Sequence, residues 1–226
     1  MGRALGHSTT VRGYGQYCPI ARGAEVFATR WTPIIVRNLL LGCHTFGELK
    51  AGAPGIPGSV LTQRLRMLER YGVVERRPHP ARRGSLYELT EAGRELESVT
   101  GALGAWGQRW MELAPEHFDA GMVLWGLCRL LPEDRLPDAR TVIRFEVRDD
   151  PQKRYWLLLD PPEAEVCAKP PGGDEDGVVT TRAEWLAKWH TGRLSLGDAL
   201  HAGVMEVEAP PGVERRLATW GGLGRL

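Results

Sequence analysis

Between residues 42 and 90 the chain alternates short helix signals with hard breaks, and few folds accept that succession. Thr45 followed by Glu48 is a capping-box pair and predicts a short helix through Leu49. Ala51-Gly52-Ala53-Pro54-Gly55-Ile56-Pro57-Gly58 excludes regular helix and predicts a turn. Ser59 then stands as the N-cap of a stronger helix, with Val60, Leu61, Leu65 and Leu68 facing inward and Gly72 as its stop. Two β-type runs follow, Val73-Val74-Glu75-Arg76-Arg77 and Leu86-Tyr87-Glu88-Leu89. The residues between them, Pro78-His79-Pro80-Ala81-Arg82-Arg83-Gly84-Ser85, predict a hairpin with a basic tip.

Two short helices at a turn, followed by a basic hairpin, is the order of a winged helix-turn-helix. Helices flank it. Pro19 opens one with Ile20, Ala24 and Phe27 on one face, and Thr32-Pro33 caps another that carries Ile34, Ile35, Leu39 and Leu41 to Gly42. Thr90 predicts the cap of one long helix to about Ala114, with Leu96, Val99, Leu103, Trp106 and Trp110 at helical spacing. A helix from Phe118 to Leu131 precedes Pro132 and Pro137, where a linker is placed.

The second half changes character. Strands are expected over Thr141–Val147, Arg154–Leu159, Ala164–Ala168, Val178–Thr180 and Val204–Val207. Thr181 predicts the cap of a helix through Trp185 and Trp189, and Ser195 that of another through Leu200. Pro170-Pro171-Gly172-Gly173-Asp174-Glu175-Asp176 reads as an exposed acidic loop. The fold class is therefore α+β. The expected division is a flexible arm over 1–16, a winged-helix domain over 17–114, a connecting helix and linker over 115–138, and a small α/β domain over 139–226.

Charge supports two halves with different partners. Up to Ala114 the chain has 15 Lys and Arg against 9 Asp and Glu, and from Pro115 it has 14 against 19. Only the first half suits a polyanion. On the Ser59 helix the polar face carries Ser59, Thr62, Gln63 and Arg66, with Arg64 placed to reach a phosphate. Gln pairs with adenine, Arg with guanine, and Thr meets a thymine methyl. Arg77, His79, Arg82 and Arg83 on the hairpin are candidates for phosphate or minor-groove contact. The bland alternative is a solvated basic face.

The run Cys18-Pro19-Ile20-Ala21-Arg22, Arg30-Trp31-Thr32-Pro33-Ile34-Ile35, Thr45-Phe46-Gly47-Glu48-Leu49, Leu61-Thr62-Gln63-Arg64-Leu65, Gly72-Val73-Val74-Glu75-Arg76 and Tyr87-Glu88-Leu89-Thr90-Glu91-Ala92-Gly93 closely resembles the HxlR-type, MarR-related winged-helix regulators. The resemblance covers about Tyr17 to Trp110. It implies a homodimer on double-stranded operator DNA, built from the N-terminal segment and the long helix with Trp106 and Trp110. Pro57-Gly58 departs from the polar residues usual in the family after the turn. Some members sense oxidants through a cysteine at the place of Cys18, and a thiol at a helix N-terminus near Arg22 favours its thiolate. A structural thiol is the other reading.

From Val178 to Glu208 the order of strand, helix, Thr191-Gly192-Arg193-Leu194-Ser195, Ala199-Leu200-His201-Ala202-Gly203 and strand resembles the sterol-carrier-protein-like domain. That resemblance implies a small curved sheet with covering helices around an apolar tunnel, which binds a hydrophobic small-molecule effector without catalysis. Trp125, Trp156, Trp185 and Trp189 are the candidate pocket walls. A lipid carrier whose basic half serves dimerisation is the rival.

Several classes fall away. No Gly-x-Ser-x-Gly, phosphate-binding glycine loop or His-Glu-x-x-His occurs, so no catalytic residue, cofactor or metal is expected. His190 and His201 lack ligating neighbours at metal spacing. No apolar run approaches the ~20 residues that span a bilayer. The N-terminus has no signal-peptide core, and four dispersed cysteines fit a reduced, cytoplasmic chain without membrane attachment.

Overall fold

The computed structural model describes residues 13–81 and 83–224. The chain divides between Gly107 and Gln108 into two compact units. The residues of the expected arm up to 12, and Arg82 at the hairpin tip, lie outside the described residues.

In the first unit α1 (Pro19–Phe27), α2 (Thr32–Leu40), α3 (Phe46–Ala51) and α4 (Gly58–Arg70) precede a hairpin of β1 (Val74–Pro78) and β2 (Ser85–Leu89). Ile35, Val36 and Leu39 of α2 are buried, as are Leu49 of α3 and Leu61, Leu65 and Leu68 of α4. The Thr45–Glu48 capping box forms as expected, with Glu48 Oε2 accepting from the Thr45 amide at 2.8 Å. Asn38, fully buried, ties α2 to α3. Its Nδ2 donates to the Leu49 carbonyl at 3.2 Å and its Oδ1 accepts from the Arg37 guanidinium at 2.7 Å. Burial pushes the Arg37 guanidinium below its ordinary pKa.

Four local expectations are corrected in this unit. Thr32 lies inside α2, whose N-cap is Trp31 in the left-handed region at φ 77°. Ser59 is likewise inside α4, which starts at Gly58 after an extended Pro57 and has no side-chain cap. On α1 the buried residue is Ala21, and Ile20 is 82% exposed. The long helix is broken: α5 (Glu91–Arg94) and α6 (Leu96–Trp110) replace a single run. Thr90 still caps α5, its Oγ1 accepting from the Gly93 amide at 3.1 Å. Gly93 packs directly on the wing, where a Cβ would stand 2.2 Å from the Val73 carbonyl oxygen.

The second unit carries α7 (Ala120–Leu130), then β3 (Thr141–Val147), β4 (Arg154–Asp160), β5 (Glu163–Cys167) and β6 (Gly177–Thr181). After them come α8 (Ala183–His190), α9 (Leu196–His201), β7 (Met205–Glu208) and α10 (Pro211–Trp220), the last absent from the expected elements. The sheet order is β5-β4-β3-β6-β7, with β3 and β6 parallel and every other pair antiparallel. One sheet face, with Ile143, Phe145, Leu157, Leu159 and Val179, packs on Leu124 and Leu127 of α7, Leu186 and Trp189 of α8, and Leu217 and Trp220 of α10. Thus α7, expected in the linker, belongs to this core. Thr181 ends β6 instead of capping α8, whose first amide, that of Ala183, donates to Asp149 Oδ1 at 3.0 Å. Ser195 does cap α9, accepting from the Asp198 amide at 3.0 Å.

The acidic loop is a latch as well as a surface. Glu175 Oε1 accepts from Trp156 Nε1 at 2.7 Å, Glu175 Oε2 accepts from Arg144 Nε at 2.7 Å, and Asp176 accepts from the Val142 amide at 2.8 Å. The Trp156 bond, then Arg144, holds the Glu175 carboxyl below its ordinary pKa. No helix of the described residues is long and apolar enough to cross a membrane.

Candidate nucleic-acid interface

The buried side of α4 sets which residues its outer side presents. Leu61, Leu65 and Leu68 point into the core, so Ser59, Gln63, Arg66 and Arg70 form the exposed stripe at spacings of four, three and four. None of these four side chains has a partner among the described residues. Arg70 extends the expected set, and its signal was legible as the next step of the same period. Thr62 and Arg64 stand apart from the stripe. The Thr62 hydroxyl donates back to the Gly58 carbonyl at 2.9 Å, and Arg64 Nε donates to the Arg30 carbonyl at 3.2 Å. Arg64 braces α4 against the α1–α2 connection in this structure.

The hairpin pairs Val74 with Leu89, Arg76 with Tyr87 and Arg77 with Leu86. Alternation puts Arg77 on one face with Glu75 and Glu88. Arg77 bonds Glu75 at 2.9 Å and lies 3.5 Å from Glu88, and these partners, Glu75 first, raise its pKa. Its charge is already answered within the wing. Arg76, on the other face, bonds the neutral Ser85 hydroxyl at 2.8 Å and has no carboxylate partner among the described residues. Arg76 was missed although the spacing of two between Glu75 and Arg77 already put a carboxylate beside Arg77; only the cross-strand register adds Glu88. Arg83 is exposed at the tip, and the His79 ring accepts from the Ala81 amide at 3.1 Å, which shapes the turn.

The structure separates the other candidates. Trp189 is enclosed in the core of the second unit, and Trp125 and Trp185 are half-buried, with Arg129 and Lys188 over their rings at 6.0 and 4.2 Å. Trp156 pairs with Arg144 across β3–β4 and so projects from the opposite sheet face, 7% exposed beneath the Glu175 latch. The four do not converge on one pocket, because consecutive strand residues face opposite ways and Trp156 has the other parity from Leu157. Cys18 is the N-cap of α1, while Arg22, expected to favour its thiolate, is ion-paired with Glu25. None of the four cysteines is in a disulfide, and burial pushes the Cys128 thiol up to about 12. Among the described residues no cluster of three or more His, Cys, Asp or Glu is placed to hold a metal.

Residues 26–115 match the HxlR-like helix-turn-helix family. The chain is 33% identical over 99 residues to the uncharacterized HTH-type transcriptional regulator YvaP of Bacillus subtilis strain 168, across 43% of this chain and 92% of that protein. It is 33% identical over 99 residues to the uncharacterized HTH-type transcriptional regulator sll1512 of Synechocystis, across 43% and 73% of the two chains. Among solved structures, the reduced form of the transcriptional regulator YodB from B. subtilis is similar at 31% identity, covering 43% of this chain and 97% of that one at a TM-score of 0.38. With its helix-turn-helix and wing in the matched region, the chain belongs to the HxlR-like helix-turn-helix family of transcriptional regulators.

Proposed function

We propose that the chain is a homodimeric, non-enzymatic regulator that reads operator DNA with the exposed edge of α4 and gauges a hydrophobic or aromatic small molecule with its second unit. The observation that carries the DNA reading is the Ser59, Gln63, Arg66 and Arg70 stripe. Its members are aligned on one helix edge and uncommitted to partners among the described residues, beside a wing that offers Arg76 and Arg83. Gln63 and Arg66, in the middle turns of α4, take base edges, and Arg70, Arg76 and Arg83 take phosphates.

Dimerisation is supported by apolar surface left open in the first unit. Val99, Leu103 and Trp106 project from one edge of α6 at spacings of four and three, and Tyr17 and Ile20 are exposed at the start of α1. The sensor reading is supported by element order. β6, α8, α9 and β7 follow one another as strand, helix, helix and strand, the succession on which the sterol-carrier-like resemblance rests.

The test is selection of a duplex from a randomised library by the full chain, followed by binding of variants. Gln63→Ala or Arg66→Ala is expected to cost about 1–3 kcal/mol and relax preference at one or two positions. Unchanged preference in both variants would reject α4 as the reading helix.

A further inference from the structure

We propose that the groove between the segment 108–113 and α8, lined wholly by residues of the second unit, is a binding site for a small aromatic carboxylate. This rests on the sensor reading of the second unit and gives it a place and a ligand chemistry. The interior of that unit offers little room, since Trp189, Trp220, Leu124 and Leu186 close it as a packed core. The groove lies outside that core. Its volume is about 480 Å³, within the range of small-ligand sites.

The lining combines an apolar floor with cations. Trp110, Leu113 and Phe118 supply the apolar surface, and Arg109, Lys188 and Arg193 the charge. Trp110 is 61% exposed, so a large indole face stands open in the groove wall. The cations are not equivalent. Lys188 is held by Glu184 at 2.7 Å and lies over the Trp185 ring. Arg193 donates one bond from Nη2 to the Gln108 carbonyl at 2.7 Å, and Arg109 lies over the Trp110 ring at 5.0 Å. Neither guanidinium has a carboxylate partner among the described residues. The anchored Arg193 keeps the rest of its planar fork for a carboxylate.

Glu112 and Glu184 are the acids of the lining, so three cations face two carboxylates and the groove carries one net positive charge. A monoanion neutralises it. A flat ring beside Trp110 and Phe118 gains stacking that an alkyl chain does not. Gln108, Arg109 and Trp110 are the last residues of α6, the helix whose earlier turns carry the exposed dimer stripe. A ligand held there acts on that helix directly, and shifts DNA binding only by its differential affinity for two states.

The test uses the full chain and 2-naphthoate as probe, followed by isothermal titration and tryptophan fluorescence. The neutral 2-naphthamide and the acyclic decanoate are compared with it. Naphthoate is expected to bind once per chain, about tenfold more tightly than either comparison compound. Arg193→Gln and Arg109→Gln, each checked for folding by circular dichroism, are expected to lower naphthoate affinity about tenfold and to leave naphthamide within about twofold. Amide or decanoate binding as tight as the acid, full affinity in both arginine variants, or no binding at about 5 mM probe would overturn the site. The duplex selected above separates this site from the sensor reading. Naphthoate that binds through Arg193 and leaves DNA affinity unchanged keeps the site and rejects the sensor. A DNA response to naphthoate that survives both arginine variants keeps the sensor and rejects the site.

Discussion

His190 ends α8 with 8% of its surface exposed, and burial lowers its pKa to about 4. Its ring is closed in by backbone: a Cβ on Gly224 would stand 2.6 Å from Nε2 and one on Gly126 3.3 Å from it. Its Nδ1 has no partner among the described residues. The folded unit therefore holds a neutral imidazole, and the unfolded chain takes up a proton near pH 6.5. A base whose folded pKa is lowered contributes stability that is present above its unfolded pKa and is lost as pH falls toward the folded one. Between about pH 7 and pH 5 the linkage removes ~2 kcal/mol, on the order of a 20-fold rise in the opened population. The Glu175 carboxyl, lowered by its bonds to Trp156 and Arg144, adds acid sensitivity below that window. Hydrogen exchange of the α7 and α8 amides, corrected for intrinsic rates, reads the second unit separately from the first. His190→Gln cannot titrate, so its packing cost is common to both pH values and only the pH-dependent part disappears. Equal acid loosening in the variant and the original chain would refute the assignment to His190.

Gly93→Ala forces a Cβ toward the Val73 carbonyl, which already accepts from the Thr90 amide at 3.1 Å. An expected loss of about 1–3 kcal/mol outweighs the better helix propensity of Ala, and a raised or unchanged urea midpoint for the first unit would contradict it. On the wing, Arg76→Ala is expected to reduce the salt dependence of duplex binding by about one counterion and Arg77→Ala by clearly less, because Glu75 and Glu88 already neutralise Arg77. A larger change in slope for Arg77→Ala than for Arg76→Ala would reverse that ranking.

Most of the fold was legible where local chemistry decides. The Thr45–Glu48 and Ser195–Asp198 caps, the proline–glycine turn before α4 and the alternating strands all rest on neighbours close in sequence. The failures come from distance. Thr181 has the right side chain to cap α8, yet pairing with Val147 and Met205 keeps it in the sheet, and Asp149 supplies the missing acceptor. The helix breaks at Glu95, just after Gly93 meets Val73 in a contact between residues twenty apart that the local pattern does not show. Ile20 looked like a core residue because the helical period allows two phases, and packing selected the one that buries Ala21. The candidate base-reading residues were visible because α4 is long enough for its period to be read. The pocket tryptophans were not, because clustering in sequence says nothing about which side of a sheet each one takes.

The basic character of the first half overstates what it can offer to DNA. Fifteen Lys and Arg stand before Pro115, but several are committed internally. Arg22 is paired with Glu25, Arg77 with Glu75 and Glu88, Arg37 is half-buried against Asn38 and the Gly52 carbonyl, and Arg64 braces the α1–α2 connection. Arg94 donates to the Leu89 carbonyl at 2.7 Å and helps hold α5 to the wing. Counterion release depends on cations that meet phosphates, so net charge is the wrong measure of affinity. Arg66, Arg70, Arg76 and Arg83 are exposed and free of carboxylate partners among the described residues, and they sit on α4 and the hairpin that follows it. The same core that buries Leu61, Leu65 and Leu68 turns Arg66 outward, and the same strand pairing that neutralises Arg77 leaves Arg76 available. Packing, more than composition, selects which charges this fold presents to DNA.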